Sequence, residues 1–210
     1  MAALFNALDK TVSTKNEPFI CEIAPVVYRL IYTCGLRPNE GRELKCANVN
    51  LKTGEILITN TKWKKERLVV MSNDMLAMCR SYDKLRAIFA KGNEYFFPSW
   101  EGGSLKTQQL GYYFKDAWER ANSEIDPAEL PRIRVFDLRH RFASAVLMRW
   151  LDSGLPLGAK LPYLRAYMGH STLSETAYYI HLLPENLVKS AGIDWAAFDE
   201  MIPEVVTWQE

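Results

Sequence analysis

The sequence predicts a mixed α/β domain, mainly helical, with one small antiparallel sheet. Three observations carry this. Apolar residues recur at three- and four-residue spacing through most of the chain, the period of helices with one buried face. Two short runs rich in Ile, Leu and Val, "EILITN" (55–60) and "RLVVM" (67–71), flank the polar "TKWKKE" and read as a hairpin. The 210 residues are 48% hydrophobic and 24% charged, enough apolar material for one sizeable core or two small ones.

The elements follow in order. "FICEIAPVVYRLIYTCG" (19–35) is a mostly apolar helix stopped by Gly35. "RPNEGRELKC" (37–46) starts a second helix, with Pro38 in a first turn where its missing N–H costs nothing. Glu40 and Glu43 place negative charge in its early turns. After the hairpin, "DMLAMCRSYDKLRAIFA" (74–90) is helical and "EYFFPS" (94–99) is a short strand or extended piece. "LKTQQLGYYFKDAWERAN" (105–122) is another helix, and "SEIDPAELPRIR" (123–134), with two prolines, is a loop. Helices follow at 135–150, 161–168, 172–182 and 185–190. The tail 194–206 is amphipathic, with Trp195, Phe198, Met201, Ile202 and Val205 on one face. No internal repeat, low-complexity tract or long Gly/Ser linker divides the chain.

Composition removes several functions. No run of about 18 apolar residues exists, so no membrane span is expected. The start "MAALFNALDK" lacks the basic and apolar regions of a secretory signal. Cys21, Cys34, Cys46 and Cys79 are scattered, which fits reduced thiols in a cytoplasmic protein. The three histidines, His140, His170 and His181, form no Cys/His cluster, so no metal site is expected. A net charge of +1 does not announce a nucleic-acid binder, yet "TKWKKER" (61–67) concentrates cations locally. A solvated turn between strands is the plainer use of those lysines.

"VFDLRHRFAS" (135–144) raises a sharper question. Leu138, Phe142, Ala145 and Val146 make a helical core stripe, and Arg139 sits beside Leu138. A guanidinium there needs an anion, because large charged groups are rarely buried unpaired. Phosphate fits, since the planar fork matches two oxygens at once. A second cation should help, and Arg37, between two helices, is the candidate. Glu40 lies one turn further on and can brace it. Taken alone, by its spacing, Arg37 reads first as a surface residue at a helix cap.

Four motifs, "TCGLRPNE", "TKWKKERLVV", "FDLRHRFAS" and "MGHSTLSETAYYIH", together resemble the tyrosine recombinase (phage integrase) family, in its order and spacing, over about residues 20–185. The resemblance implies a tyrosine-recombinase catalytic-domain fold across 1–210 and assigns residues by motif. Arg37 looks like the first arginine, with Glu40 at the supporting acidic position. Lys62 looks like the hairpin lysine, in T-K-W-K-K-E-R where the family has G-K-G-x-K-E-R. Arg139 looks like the second arginine, His170 the later histidine and Tyr179 the nucleophile, with Tyr178 its immediate neighbour. Phe136 stands where the family usually has histidine. His140 and His181 read as structural.

The implied activity is site-specific DNA recombination through a 3′-phosphotyrosine intermediate. Bond energy is stored in the covalent ester, so no ATP is needed. Arg37 and Arg139 would hold the phosphate, His170 would hydrogen-bond it, and Lys62 would protonate the leaving 5′-hydroxyl. Trp63, Lys64 and Lys65 would contact DNA beside Lys62. No cofactor or metal is implied. The expected partner is double-stranded DNA, with a homo-tetramer assembling on it and no membrane. Too few residues precede Arg37 for the family's N-terminal DNA clamp, so the chain is expected to be a truncated one. The tail 191–210 would dock on a neighbouring protomer or pack on its own domain. Two rival readings stay open: a DNA-binding relative weakened at Phe136, and a type IB topoisomerase-like enzyme.

Overall fold

A computed structural model of the chain describes residues 1–59 and 66–183. Lys62, Trp63, Lys64 and Lys65, the 185–190 helix and the tail lie outside the described residues. The chain divides into two compact units, Met1–Arg139 and His140–Glu210.

The first unit is built around a helix with almost no solvated side. After α1 (Ala2–Asp9), α2 (Ile20–Cys34) buries Ile20, Ile23, Ala24, Val26, Val27, Tyr28, Leu30, Ile31 and Cys34. A helix apolar nearly all round must be covered on all sides, and α1, α3 (Pro38–Arg42) and α4 (Asn73–Phe89) pack on it. Helix α5 (Thr107–Ala121) closes over α1 and α3. Buried phenols are tied to backbone: Tyr28 Oη donates to Leu110 O at 2.6 Å and Tyr82 Oη to Phe96 O at 2.8 Å. Leaving either phenol unpaired would cost about 1–3 kcal/mol. Burial pushes the Cys34 thiol up to about 11 and Cys79 up to about 12, so both stay protonated at neutral pH.

The expected hairpin forms from β2 (Glu55–Ile58) and β3 (Arg67–Val70), with Ile56 opposite Val69 and Ile58 opposite Arg67. A two-residue strand, β1 (Val49–Asn50), adds to its edge and makes a three-stranded antiparallel meander. Ile56, Ile58 and Val69 point into the core while Leu57, Leu68 and Val70 face outward. The 94–99 stretch is extended but is not a strand: Tyr95 bridges Lys45 and Pro98 bridges Ser104, each as a single bridge. Pro98 has no N–H to carry a ladder onward. The second helix is also shorter than the 37–46 pattern suggested, ending at Arg42.

Helix α6 (Phe136–Asp152) begins in the first unit and runs into the second. The second unit adds α7 (Leu157–Met168) and α8 (Ser174–His181). Its core gathers Ala143, Leu147, Leu157, Leu161, Leu164, Met168, Ala177, Tyr179, Ile180 and Leu183. Helix α7 starts four residues before its expected position, at Leu157 behind Pro156, and carries Pro162 inside it.

Candidate active site

In the first unit the site is assembled by a corner. Helix α2 ends at Gly35, whose left-handed backbone (φ 62°, ψ 31°) turns the chain sharply. That conformation is cheap for glycine and costly for residues with a Cβ. The turn exposes the Gly35 carbonyl, which accepts a 2.6 Å hydrogen bond from Arg139 Nη1. Two residues on, Arg37 caps α3, and its backbone N–H donates to Glu40 Oε2 at 2.8 Å.

Glu40 is the centre of this cluster. Arg37 Nη1 donates to its Oε1 at 2.9 Å. Arg67, the first residue of β3, grips it end-on, Nη1 to Oε1 at 2.8 Å and Nη2 to Oε2 at 2.7 Å. Arg139 Nη1 stands 3.9 Å from Oε2. The Arg67 and Glu40 side chains are 8% and 9% exposed and Arg139 is fully buried, so water screens little of this charge. Burial pushes the Glu40 carboxyl up, but the hydrogen bonds and charges of Arg67 and Arg37 outweigh it and hold it down at about 2. Glu40 is therefore ionised at any working pH, and three guanidinium groups share one carboxylate. Summed over these four side chains the charge is positive by two, which suits a phosphodiester.

In the second unit, α7 ends at Gly169 in the left-handed conformation, and His170 N donates back to Arg165 O at 3.1 Å. Arg165 Nη2 donates to Ser171 O at 2.7 Å and pins the following loop. His170 Nδ1 lies 2.8 Å from the Oγ1 of Thr176, which is fully buried on α8. Tyr179, one turn further along α8, is 3% exposed. Its ring lies between two imidazoles, 5.8 Å from His170 at an interplanar angle of 16°, and 5.4 Å from His140. Tyr178 points away, 55% exposed.

The residues singled out by motif thus fall into two groups. Arg37, Glu40 and Arg139 meet in the first unit; His140, His170 and Tyr179 meet in the second. Phe136, half-buried, opens α6 one turn before Arg139. His140, read as structural, is half-buried with its ring 5.4 Å from that of Tyr179. Two residues were not anticipated. Arg67 was hidden as the last cation of a run that reads as a solvated turn, although it pairs in register with buried Ile58. Thr176 shares a helix face with Tyr179 and Ile180 by its spacing, and that was its only signal.

Among the described residues no group of three or more His, Cys, Asp or Glu side chains is placed to hold a metal ion. No helix there is long and apolar enough to cross a membrane.

A mainly helical fold with a small meander has counterparts among solved structures. A XerA recombinase superposes with a TM-score of 0.70 at 20% identity, covering 97% of this chain and 63% of that one. A XerH site-specific recombinase, solved bound to its palindromic difH substrate, gives 0.69 at 19% identity, covering 93% and 51%. These likenesses define the fold as that of tyrosine recombinase catalytic domains. The phage integrase family model matches residues 4–186, and the chain belongs to that family. Tyrosine recombinase XerD of Rhizobium meliloti is 32% identical over 159 residues, 75% of this chain and 47% of that protein. The chain spans about half the length of the curated relatives it matches.

Proposed function

We propose that this chain is the catalytic part of a site-specific DNA recombinase or integrase. It cleaves and rejoins strands of double-stranded DNA through a 3′-phosphotyrosine intermediate. The observation that carries the reading is the convergence of Arg37, Arg67 and Arg139 on one buried, ionised Glu40. Such a cluster places fixed positive charge where a pentacoordinate phosphorus gathers negative charge, and it needs no reorganisation when the charge appears.

The steps follow from the residue types. Tyr179 Oη attacks the scissile phosphorus and the bond to the 5′ oxygen breaks. The leaving 5′-hydroxyl takes its proton from Lys62, and the phenolic proton of Tyr179 passes to a neighbouring base or to water. Arg37 and Arg139 hold the non-bridging oxygens, for which the planar guanidinium is the suited cation. In phosphoryl transfer one such arginine is worth about a thousandfold or more in rate, roughly 4 kcal/mol. His170, held through Nδ1 by Thr176, adds a hydrogen bond. A 5′-hydroxyl from a partner strand then attacks the phosphotyrosine and releases the enzyme. Tyr179 is almost fully buried, so DNA binding must uncover its hydroxyl before attack.

Trp63, Lys64 and Lys65 are assigned to DNA contact beside Lys62, and His140 to the surroundings of the nucleophile. The working assembly is a homo-tetramer on DNA, with the tail 191–210 docking on a neighbouring protomer. With DNA as the substrate, the place of action is the cytoplasm.

The test is covalent capture on a nicked suicide duplex that carries the recombination site. Tyr179→Phe is expected to abolish the protein–DNA adduct with DNA affinity nearly unchanged, and Tyr178→Phe is expected to keep it. Adduct from the Tyr179 variant and none from the Tyr178 variant would move the nucleophile by one residue. No adduct from the parent would leave a DNA-binding relative, and relaxation of supercoils lacking the site would indicate topoisomerase-like chemistry.

A further inference from the structure

Glu40 has roughly four acceptor positions on its two oxygens, and four donors reach them. Oε1 receives Arg37 Nη1 at 2.9 Å and Arg67 Nη1 at 2.8 Å. Oε2 receives the Arg37 backbone N–H at 2.8 Å and Arg67 Nη2 at 2.7 Å. The carboxylate is full, and Arg139 is left 3.9 Å away, beyond hydrogen-bond distance, donating to the Gly35 carbonyl instead. Half of the positions are taken by Arg67 alone.

We infer that Arg67 is a positioning residue of the catalytic site: it occupies Glu40 so that this carboxylate does not draw Arg37 and Arg139 away from the DNA phosphate. The inference rests on the proposed recombinase reading and deepens it. The reasoning is electrostatic. A buried carboxylate attracts any guanidinium within reach, and at low effective dielectric this attraction competes with an incoming anion. With Arg67 in place, Glu40 is neutralised by a residue outside the phosphate pair. Without it, two acceptor positions open, and Arg139, 3.9 Å from Oε2 and less than 1 Å beyond hydrogen-bond distance, closes onto them. The site then loses one positive charge in sum and one of its two phosphate clamps. Arg67 opens β3, so the same ion pair also ties that strand to the α3 corner.

The test is a charge-swap series on the full chain: Arg67→Gln, Glu40→Gln, the double variant, and Arg67→Lys. Two readouts are taken. One is binding of tungstate, an oxyanion probe, by isothermal titration. The other is adduct formation on the suicide duplex. Arg67→Gln is expected to weaken tungstate binding and slow adduct formation by at least tenfold each. The double variant removes the unbalanced carboxylate as well and is expected to exceed Arg67→Gln at least threefold in both readouts while staying below the parent. Failure of the double variant to recover, with its fold intact by circular dichroism, overturns the inference, because Arg67 would then be touching phosphate itself or only stapling the fold. Should the Gln variant not fold, Arg67→Lys decides alone. It keeps the charge and loses the fork, so an adduct rate within threefold of the parent supports the inference and a deeper loss overturns it. A parent that binds tungstate with the expected series but forms no adduct refutes the recombinase reading and leaves the role of Arg67 standing. An adduct-forming parent with no rescue does the reverse.

Discussion

A buried threonine hydroxyl 2.8 Å from a histidine nitrogen is a small feature with a measurable consequence. Thr176 fixes the His170 ring at Nδ1, so, on the proposed recombinase reading, the imidazole does not have to be ordered when substrate arrives. Thr176→Val keeps the shape and removes the partner. It is expected to slow adduct formation about tenfold, the weight of roughly 1.4 kcal/mol, with the thermal midpoint almost unmoved. Parent-like kinetics in that variant would mean that His170 is held by its backbone alone. At this scale the sequence was legible where the partners are near in the chain. Arg37 and Glu40 are three residues apart, and the question posed by a guanidinium next to a core leucine led to Arg139. Arg67 and Thr176 were missed for the same physical reason: each acts through a partner that only tertiary folding brings near, 27 residues away for Arg67 and Glu40 and 6 for Thr176 and His170.

The element that sets the arginine cluster is the corner between α2 and α3. Gly35 ends the helix in the left-handed region and also presents its carbonyl to Arg139, so one residue determines both the turn and the partner of a buried guanidinium. Gly35→Ala must hold a Cβ in that conformation, at about 1–2 kcal/mol. For a chain of this size that corresponds to a fall of a few degrees in thermal midpoint. The expected loss in adduct rate is larger than that stability loss alone would give, because a strained turn also moves the carbonyl. A variant with the lower midpoint and a parent-like adduct rate would show that Arg139 does not depend on the corner. The long helices α2, α4 and α5 and the hairpin were legible because their apolar periods are strong. The rest depended on context. Helix α1 is only eight residues long and is held by packing on α2 and α5, and β1 is two residues whose strand character comes from its partner. The onset of α7 was hidden because prolines at 156 and 162 read as breakers, whereas Pro156 serves as the N-cap.

At the scale of the whole molecule, function and stability draw on the same buried charge. Both arginine pairs and their carboxylate lie within Met1–Arg139, so protonating Glu40 weakens that unit. In the unfolded chain this carboxyl titrates near 4.5; folded, it is held at about 2. Above pH 4.5 it is ionised in both states and its full contribution is present. As pH falls below that value the unfolded chain takes up the proton first, and stability drains away until the folded carboxyl also protonates near pH 2. The gap is worth about 3 kcal/mol. Urea unfolding of the full chain at several values between pH 7 and pH 3 reads this directly. The parent is expected to lose stability steeply below pH 5, while Glu40→Gln starts lower at pH 7 and falls less steeply across the same window. Other carboxylates titrate there too, but they are common to both proteins, so the difference in slope belongs to Glu40. Parallel slopes would mean that the carboxylate is not held by its arginines in solution. The charge balance on which the phosphate site depends would fall with it.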